Sequence, residues 1–372
     1  MALLDAQLDR ARAGPAEPVM LVGEPGMGKS ALLDALAHRG RGRKMKVVRT
    51  RSPSGADASP FALVVDVVRG LSEDLALLSQ DDANVLRRAA RDGSSRPGPV
   101  AGALLELLAE SAHRQPILLL LDDLHWADRD SVAAVCLAAG RLQSERVAVV
   151  GAARPRPPLH PGLHDWDTVA INPLEMGPAV DVLRAHLPES MGKTLSTDET
   201  RLRILAERLG KCPLALVEAG RLLSPEQLLG TAPLPDPMPI DEHLLTAWGT
   251  AWARLDPPAR TAMLALCVTG DLHTGALAHL LEDLGRGPDD FEAARSERLV
   301  VADAPHTIST INLAHPLIRD AVLAAAGPAL VRDMHRRAAR SAETLGLAPS
   351  IIVTHLAASA TPGDEQANRS EE

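Results

Sequence analysis

The sequence predicts an α/β fold: a parallel sheet flanked by helices over residues 1–175, followed by further helical units. Two observations carry this. Short apolar runs at 18–22, 46–49, 117–121, 147–152 and 168–171 alternate with stretches of helical period, and strands separated by helices pair in parallel. After residue 175 those runs give way to helical periodicity in "GPAVDVLRAHL" and "DETRLRILAERLGKCPLALVEAGRLL". A length of 372 residues suits two to three domains. With no Tyr and only two Phe, their cores must be built from aliphatic side chains.

The first strand, "PVMLV", feeds "GEPGMGKS", where Gly23 is followed after four residues by Gly28, Lys29 and Ser30. This is the phosphate-binding loop pattern, here in its strand–loop–helix context. Glycines at 23, 26 and 28 let successive backbone N–H groups curl around an anion, and the start of helix "SALLDALAH" adds partial positive charge. The expected nucleotide contacts are Gly23, Glu24, Pro25, Gly26, Met27, Gly28, Lys29, Ser30 and Ala31, with Lys29 on the β- and γ-phosphates and Ser30 ligating Mg²⁺. The fold class is thus that of a P-loop NTPase, and the expected ligands are ATP or ADP with Mg²⁺.

Such a loop needs an acidic partner, and "PILLLLDDLHWAD" supplies one. Residues 117–121 form a strand buried on both faces, and Asp122 emerges at its carboxyl end, where ligands of open α/β sheets collect. Asp122 is the expected second Mg²⁺ ligand, through water. Asp123 has two readings, as the group that orients or deprotonates the attacking water or as an anchor for the following turn. "RVAVVGAAR" ends at Arg154, which either neutralises the γ-phosphate or lies at the surface.

The second half is expected to hold a helical domain at 176–230, a proline-rich linker at 231–240 and a winged-helix unit at 241–330. In the last, Asp256 caps a helix that opens at Pro257, two more helices follow, and two β-rich runs flank a turn at 303–306 before the helix "HPLIRDAVLAAA". Helical repeats are expected to begin at 331–358, and the tail at 359–372 to be disordered. A winged helix either binds duplex DNA or packs within a switch; with no basic recognition helix, packing is the reading adopted.

The net charge of −9 argues against a dedicated nucleic-acid binder. The run at 38–51 carries seven Lys or Arg and no acid, and is read as a solvated loop entering the second strand rather than a nucleic-acid patch. Three well-separated cysteines (Cys136, Cys212 and Cys267) fit a reducing cytoplasm. No signal peptide opens the chain and no apolar run approaches about 18 residues, so neither export nor a membrane partner is expected.

Together, "GEPGMGKSALL", "LLLLDDLHWAD", "VVGAAR", "GKCPLAL" and "LAHPLIRDAV" resemble, in order and spacing over residues 5–340, the STAND class of signalling NTPases, and within it the large ATP-binding regulators of the LuxR family. The resemblance implies a switch closed around ADP and opened by ATP, which then self-associates or binds a partner protein. It implies that Pro213 packs near the adenine and sugar, and that His315 contacts the ADP β-phosphate in the closed state. A histidine opening a helix before Pro316 also has a local reading, bonded to nearby backbone. The chain lacks the glycine–arginine–glutamate stretch such regulators carry ahead of the first helix, and it stops near the start of the repeats, before their DNA-reading helix-turn-helix. Direct DNA binding is therefore not expected. Two functions compete: a slow switch ATPase, and a nucleotide-bound sensor module without turnover, completed by another chain.

Overall fold

Five apolar residues in a row leave strand β3 (Ile117–Asp122) no solvent face, and it lies buried along its whole length. In the computed structural model it joins β1 (Val19–Val22), β2 (Lys46–Arg51), β4 (Val147–Ala153) and β5 (Asp167–Ala170) in one sheet of order β2–β3–β4–β1–β5. Every pairing is parallel. The structure describes residues 1–52, 59–92, 95–155, 159–187, 199–236, 238, 241–269, 274–302, 308 and 311–360. The chain folds as two units, Met1–Asn172 and Pro173–Glu372.

In the first unit the side chains of each strand alternate between two helical layers. Leu118 and Leu120, with Val19, Leu21, Ala148 and Val150, meet Leu8 of α1 (Ala2–Ala13) and Leu33 and Leu36 of α2 (Lys29–Gly42). Ile117, Leu119 and Leu121, with Val147 and Val149, face the opposite layer. That layer is built from α3 (Ala62–Gly70), α4 (Gln80–Asp92), α5 (Pro97–Arg114) and α6 (Arg129–Ala139). Each leucine so buried contributes about 2 kcal/mol, enough to hold the central strands and hence their carboxyl ends in place.

The basic run at 38–51 is not a solvated loop. It is the end of α2 and the whole of β2, because its cations find acids within the same unit. Arg39 and Arg43 bond Asp5, Arg43 also bonds Asp9, and Lys46 bonds Asp74 at 2.7 Å. Arg49 and Arg51 reach across to β3 and the turn that follows it, as described below.

The second unit opens with α7 (Met176–Ala185), α8 (Glu199–Arg208), α9 (Pro213–Leu222) and α10 (Pro225–Leu229). Then come α11 (Glu242–Ala253), α12 (Pro257–Thr269), α13 (Thr274–Asp283) and α14 (Glu292–Ser296). Asp256 caps α12 by accepting the Ala259 N–H at 2.9 Å. β6 (Val300–Ala302) and β7 (Ile311–Leu313) pair antiparallel, and α15 (Leu317–Ala326), α16 (Pro328–Thr344) and α17 (Pro349–Ser359) complete the unit. α16 runs through the expected boundary at 330. The turn expected at 303–306 and most of the tail expected at 359–372 fall outside the described residues. The proline-rich segment is tied to this unit: Met238 is buried and donates its N–H to Asp320 at 3.0 Å, while Arg319 bonds Asp236. No described helix is long and apolar enough to cross a membrane.

Candidate functional site

Three parallel strands, β1, β3 and β4, end side by side, and the expected catalytic and phosphate-binding residues of the first unit follow those ends. After β1 the loop turns on Gly26 and Gly28, both with positive φ (76° and 85°), a region that glycine enters without penalty. Gly23 is required for a different reason: a Cβ there would sit 2.6 Å from the carbonyl oxygen of Ile171, just past β5. Lys29 opens α2, only 8% exposed, and its ammonium donates to the carbonyls of Gly23 (2.7 Å) and Glu24 (2.9 Å). The lysine is thereby held over its own loop. Pro25 and Met27 are buried, Ser30 is half-buried on the first turn of α2, and Ala31 is exposed.

Asp122 ends β3, 1% exposed. One oxygen accepts the Asp123 N–H at 3.0 Å, and the other meets the Arg49 guanidinium at 3.3 Å. Asp123 itself is left-handed (φ 55°), a conformation aspartate tolerates, and accepts from Arg51 at 2.9 Å. Arg49 and Arg51 are two apart on β2, hence on one face, and the parallel register sets Arg51 opposite Asp122. Neither arginine is assigned a role at the site from the sequence; their i, i+2 spacing on a strand was the available signal.

The turn after Asp123 is seated by a small residue. Gly151 of β4 lies opposite Leu121, and a Cβ on it would come 2.7 Å from Leu124 and 2.9 Å from Met20. With Leu124 in that space, His125 lies against the end of β4. Its Nδ1 accepts the Arg154 N–H at 3.3 Å, and its Nε2 is buried with no hydrogen-bond partner among the described residues. Further on, Asp128 caps α6 through Ser131 N–H (2.8 Å) and also accepts Phe61 N–H (2.9 Å), tying α3 to the same turn. Sequence reasoning assigned His125 no role.

Electrostatics places these groups in one neighbourhood. Burial pushes the Lys29 ammonium down to about 8 and Arg154 presses the same way, while Asp123, Glu24 and Asp122 oppose them. Burial likewise pushes His125 down to about 3, helped by Arg154 and Lys29 and opposed by Asp122. A neutral imidazole whose Nδ1 accepts carries its proton on Nε2, a buried donor beside two cations. Lys29, Asp122, Asp123 and Arg154, each named from the sequence, are therefore brought together, and His125 joins them.

The remaining pair belongs to the second unit. Pro213 starts α9, immediately after the left-handed pair Gly210 and Lys211. His315 is 5% exposed, stacked on Trp248 (ring centroids 5.2 Å apart), and its Nδ1 accepts the Leu317 N–H at 3.2 Å. A Cβ on Gly210 would fall 2.5 Å from the His315 ring, so the glycine of "GKCPLAL" makes room for the histidine of "HPLIRD". Burial pushes His315 down to about 4; Gly210's backbone pulls upward without completing a hydrogen bond to Nε2. His315 thus occupies its local, helix-opening position.

The loop geometry fits a nucleotide with Mg²⁺. The glycine turns leave amides at the start of α2, Lys29 is buried and aimed into the loop, and Nε2 of His125 is a donor in want of an acceptor. Asp122 fits a water-mediated metal contact, since both of its oxygens already have partners. Residues 1–150 match the AAA ATPase domain family model. None of the curated proteins matches the chain. Among solved structures it is similar to a mutant of RuvB from Thermotoga maritima, at 13% identity over 81% of this chain and 88% of that one, TM-score 0.40. It is also similar to a Signal Transduction ATPase with Numerous Domains (STAND) protein with a tetratricopeptide repeat sensor from Pyrococcus horikoshii, at 13% identity over 96% of this chain and 48% of that one, TM-score 0.36. A third is Drosophila ORC bound to DNA, at 15% identity over 68% and 71%, TM-score 0.43.

Proposed function

We propose that the chain is a nucleotide switch that binds ATP and ADP with Mg²⁺ and hydrolyses ATP slowly, akin to the nucleotide-binding portion of a LuxR-family regulator. The observation that carries this is the convergence of the phosphate loop, Lys29, the Asp122–Asp123 pair, His125 and Arg154 at the ends of β1, β3 and β4. Mg²⁺, when bound, neutralises phosphate charge. Loop amides from Gly23 to Ala31 and the Lys29 ammonium hold the β- and γ-phosphates; Ser30 and Asp122 hold the metal. Asp123 orients the attacking water and accepts its proton, Arg154 balances the negative charge that develops, and the Nε2–H of His125 donates to an oxygen in the same space.

The proposal extends to the second unit. It is read as a helical domain (176–230), a linker (231–240), a packing winged helix (241–330) and the first helical repeats (331–358), with Pro213 an adenine contact and His315 a phosphate contact in the ADP state. It includes action in the cytoplasm and self-association or partner binding in the ATP state, without direct DNA binding. One observation favours a second reading: Arg51 already occupies Asp123, as expected of a turn anchor in a nucleotide-bound sensor module without turnover.

The test is to identify the nucleotide that co-purifies with the chain and to measure ATP turnover before and after Asp123→Asn. Bound ADP and a turnover that falls at least about tenfold support the switch ATPase. Bound nucleotide with negligible, unchanged turnover favours the sensor module, and absence of any nucleotide affinity overturns both.

A further inference from the structure

Away from the phosphate loop, the second unit holds a cleft of about 460 Å³ between α12 and α16, closed at one end by the turn after α13. This is the volume of a small-molecule site. Its floor is apolar and fixed. Leu264, Met334 and Trp252 are buried, and the Trp252 indole N–H is donated to the Arg260 carbonyl at 3.3 Å. That bond spends the only polar atom of the ring and leaves its face toward the cleft as hydrocarbon.

The charges of the lining are uneven: three arginines, Arg260, Arg286 and Arg337, against one aspartate, Asp333. Asp333 is bonded to Arg337 at 2.9 Å along α16, which holds its carboxyl below the usual carboxylate range. Those two cancel, and Arg260 and Arg286 remain as net positive charge over the apolar floor. Arg286 adds a second observation. Its Nε is buried with no hydrogen-bond partner among the described residues, and a guanidinium donor buried in this way is unfavourable until an acceptor meets it.

We infer that this cleft binds an amphipathic organic anion, whose apolar body lies on Trp252, Leu264 and Met334 and whose carboxylate is received by Arg260 and Arg286. A neutral molecule of the same shape would leave the arginines unanswered, and a bare inorganic anion would leave the floor uncovered. The inference is independent of the nucleotide reading.

The probe is decanoate, titrated calorimetrically into the full chain with Trp fluorescence as a second readout. Decanamide and inorganic phosphate serve as the neutral and apolar-free controls. The expected result is saturable one-to-one binding of decanoate, at least about tenfold tighter than either control, the scale of one charge-assisted contact. It should weaken at least about tenfold in Arg260→Gln/Arg286→Gln. Leu330→Asp, an exposed substitution at the rim that sets an acid beside the incoming carboxylate, should weaken it in a chain that melts like the wild type. No saturable binding of decanoate, equal affinity for decanamide or phosphate, or unchanged affinity in the folded variants would each overturn the assignment.

Discussion

His125 holds its two ring nitrogens in opposite situations: Nδ1 accepts from the Arg154 backbone and Nε2 is a buried donor. Two substitutions separate them. Asparagine retains an acceptor near the Nδ1 position, and glutamine a donor near Nε2. In single-turnover hydrolysis, His125→Asn should lose about tenfold to a hundredfold while His125→Gln stays close to wild type; equal rates for the two would remove Nε2 from the chemistry. Lys29 makes a prediction in pH. Burial favours its neutral form, so the loop starts to lose its charge near pH 8 rather than near 10.5. Phosphate requires the charged form, and ADP affinity should therefore fall about tenfold per pH unit above 8. Affinity that stays level up to pH 10 would contradict that environment. Of these residues, Lys29 and Asp122 were legible in contiguous motifs, because loop spacing and an acid ending an apolar run are local patterns. His125 was not, since its role depends on the end of β4, twenty-nine positions along the chain.

Elements are joined by contacts that sequence periodicity cannot show. The five strands were legible to within one or two residues, because each is a short apolar run and their buried faces alternate. The run at 38–51 was misread because most of its cations are answered by acids elsewhere in the unit: Asp5, Asp9, Asp34, Asp74, Asp122 and Asp123. Asp320 is the counterpart in the second unit and carried no signal at all. Fully buried, it accepts both arms of Arg208 from α8 (3.0 and 2.9 Å) and the Met238 N–H. One carboxylate thus ties α8 and the proline-rich segment to α15. Removing it strands a guanidinium and a buried amide, at a cost of about 3 kcal/mol. Asp320→Ala should accordingly lower the midpoint of the second unit's unfolding in urea, and Asp320→Asn should lower it less. A loss under about 1 kcal/mol for the alanine variant would show that the three elements are held by apolar packing alone.

At the scale of the whole molecule, each of the two units holds its own candidate site, a phosphate loop in Met1–Asn172 and an arginine-rimmed cleft in Pro173–Glu372. The α/β class and the position of the loop were legible, since a Gly-rich turn between strand and helix admits few other folds. The cleft was not, because it is assembled from helices whose nearest ends, Thr269 and Pro328, are far apart in the sequence and whose arginines look like ordinary surface charge. The switch function proposed for the chain rests on nucleotide binding at the loop. The most direct measurement is a calorimetric titration of ADP and ATP, with Mg²⁺, into the wild-type chain and Lys29→Ala. The loop amides persist in the variant but its one mobile cation is gone, so affinity should fall at least about a hundredfold while the fold is retained. Equal affinity in the two proteins would contradict the account.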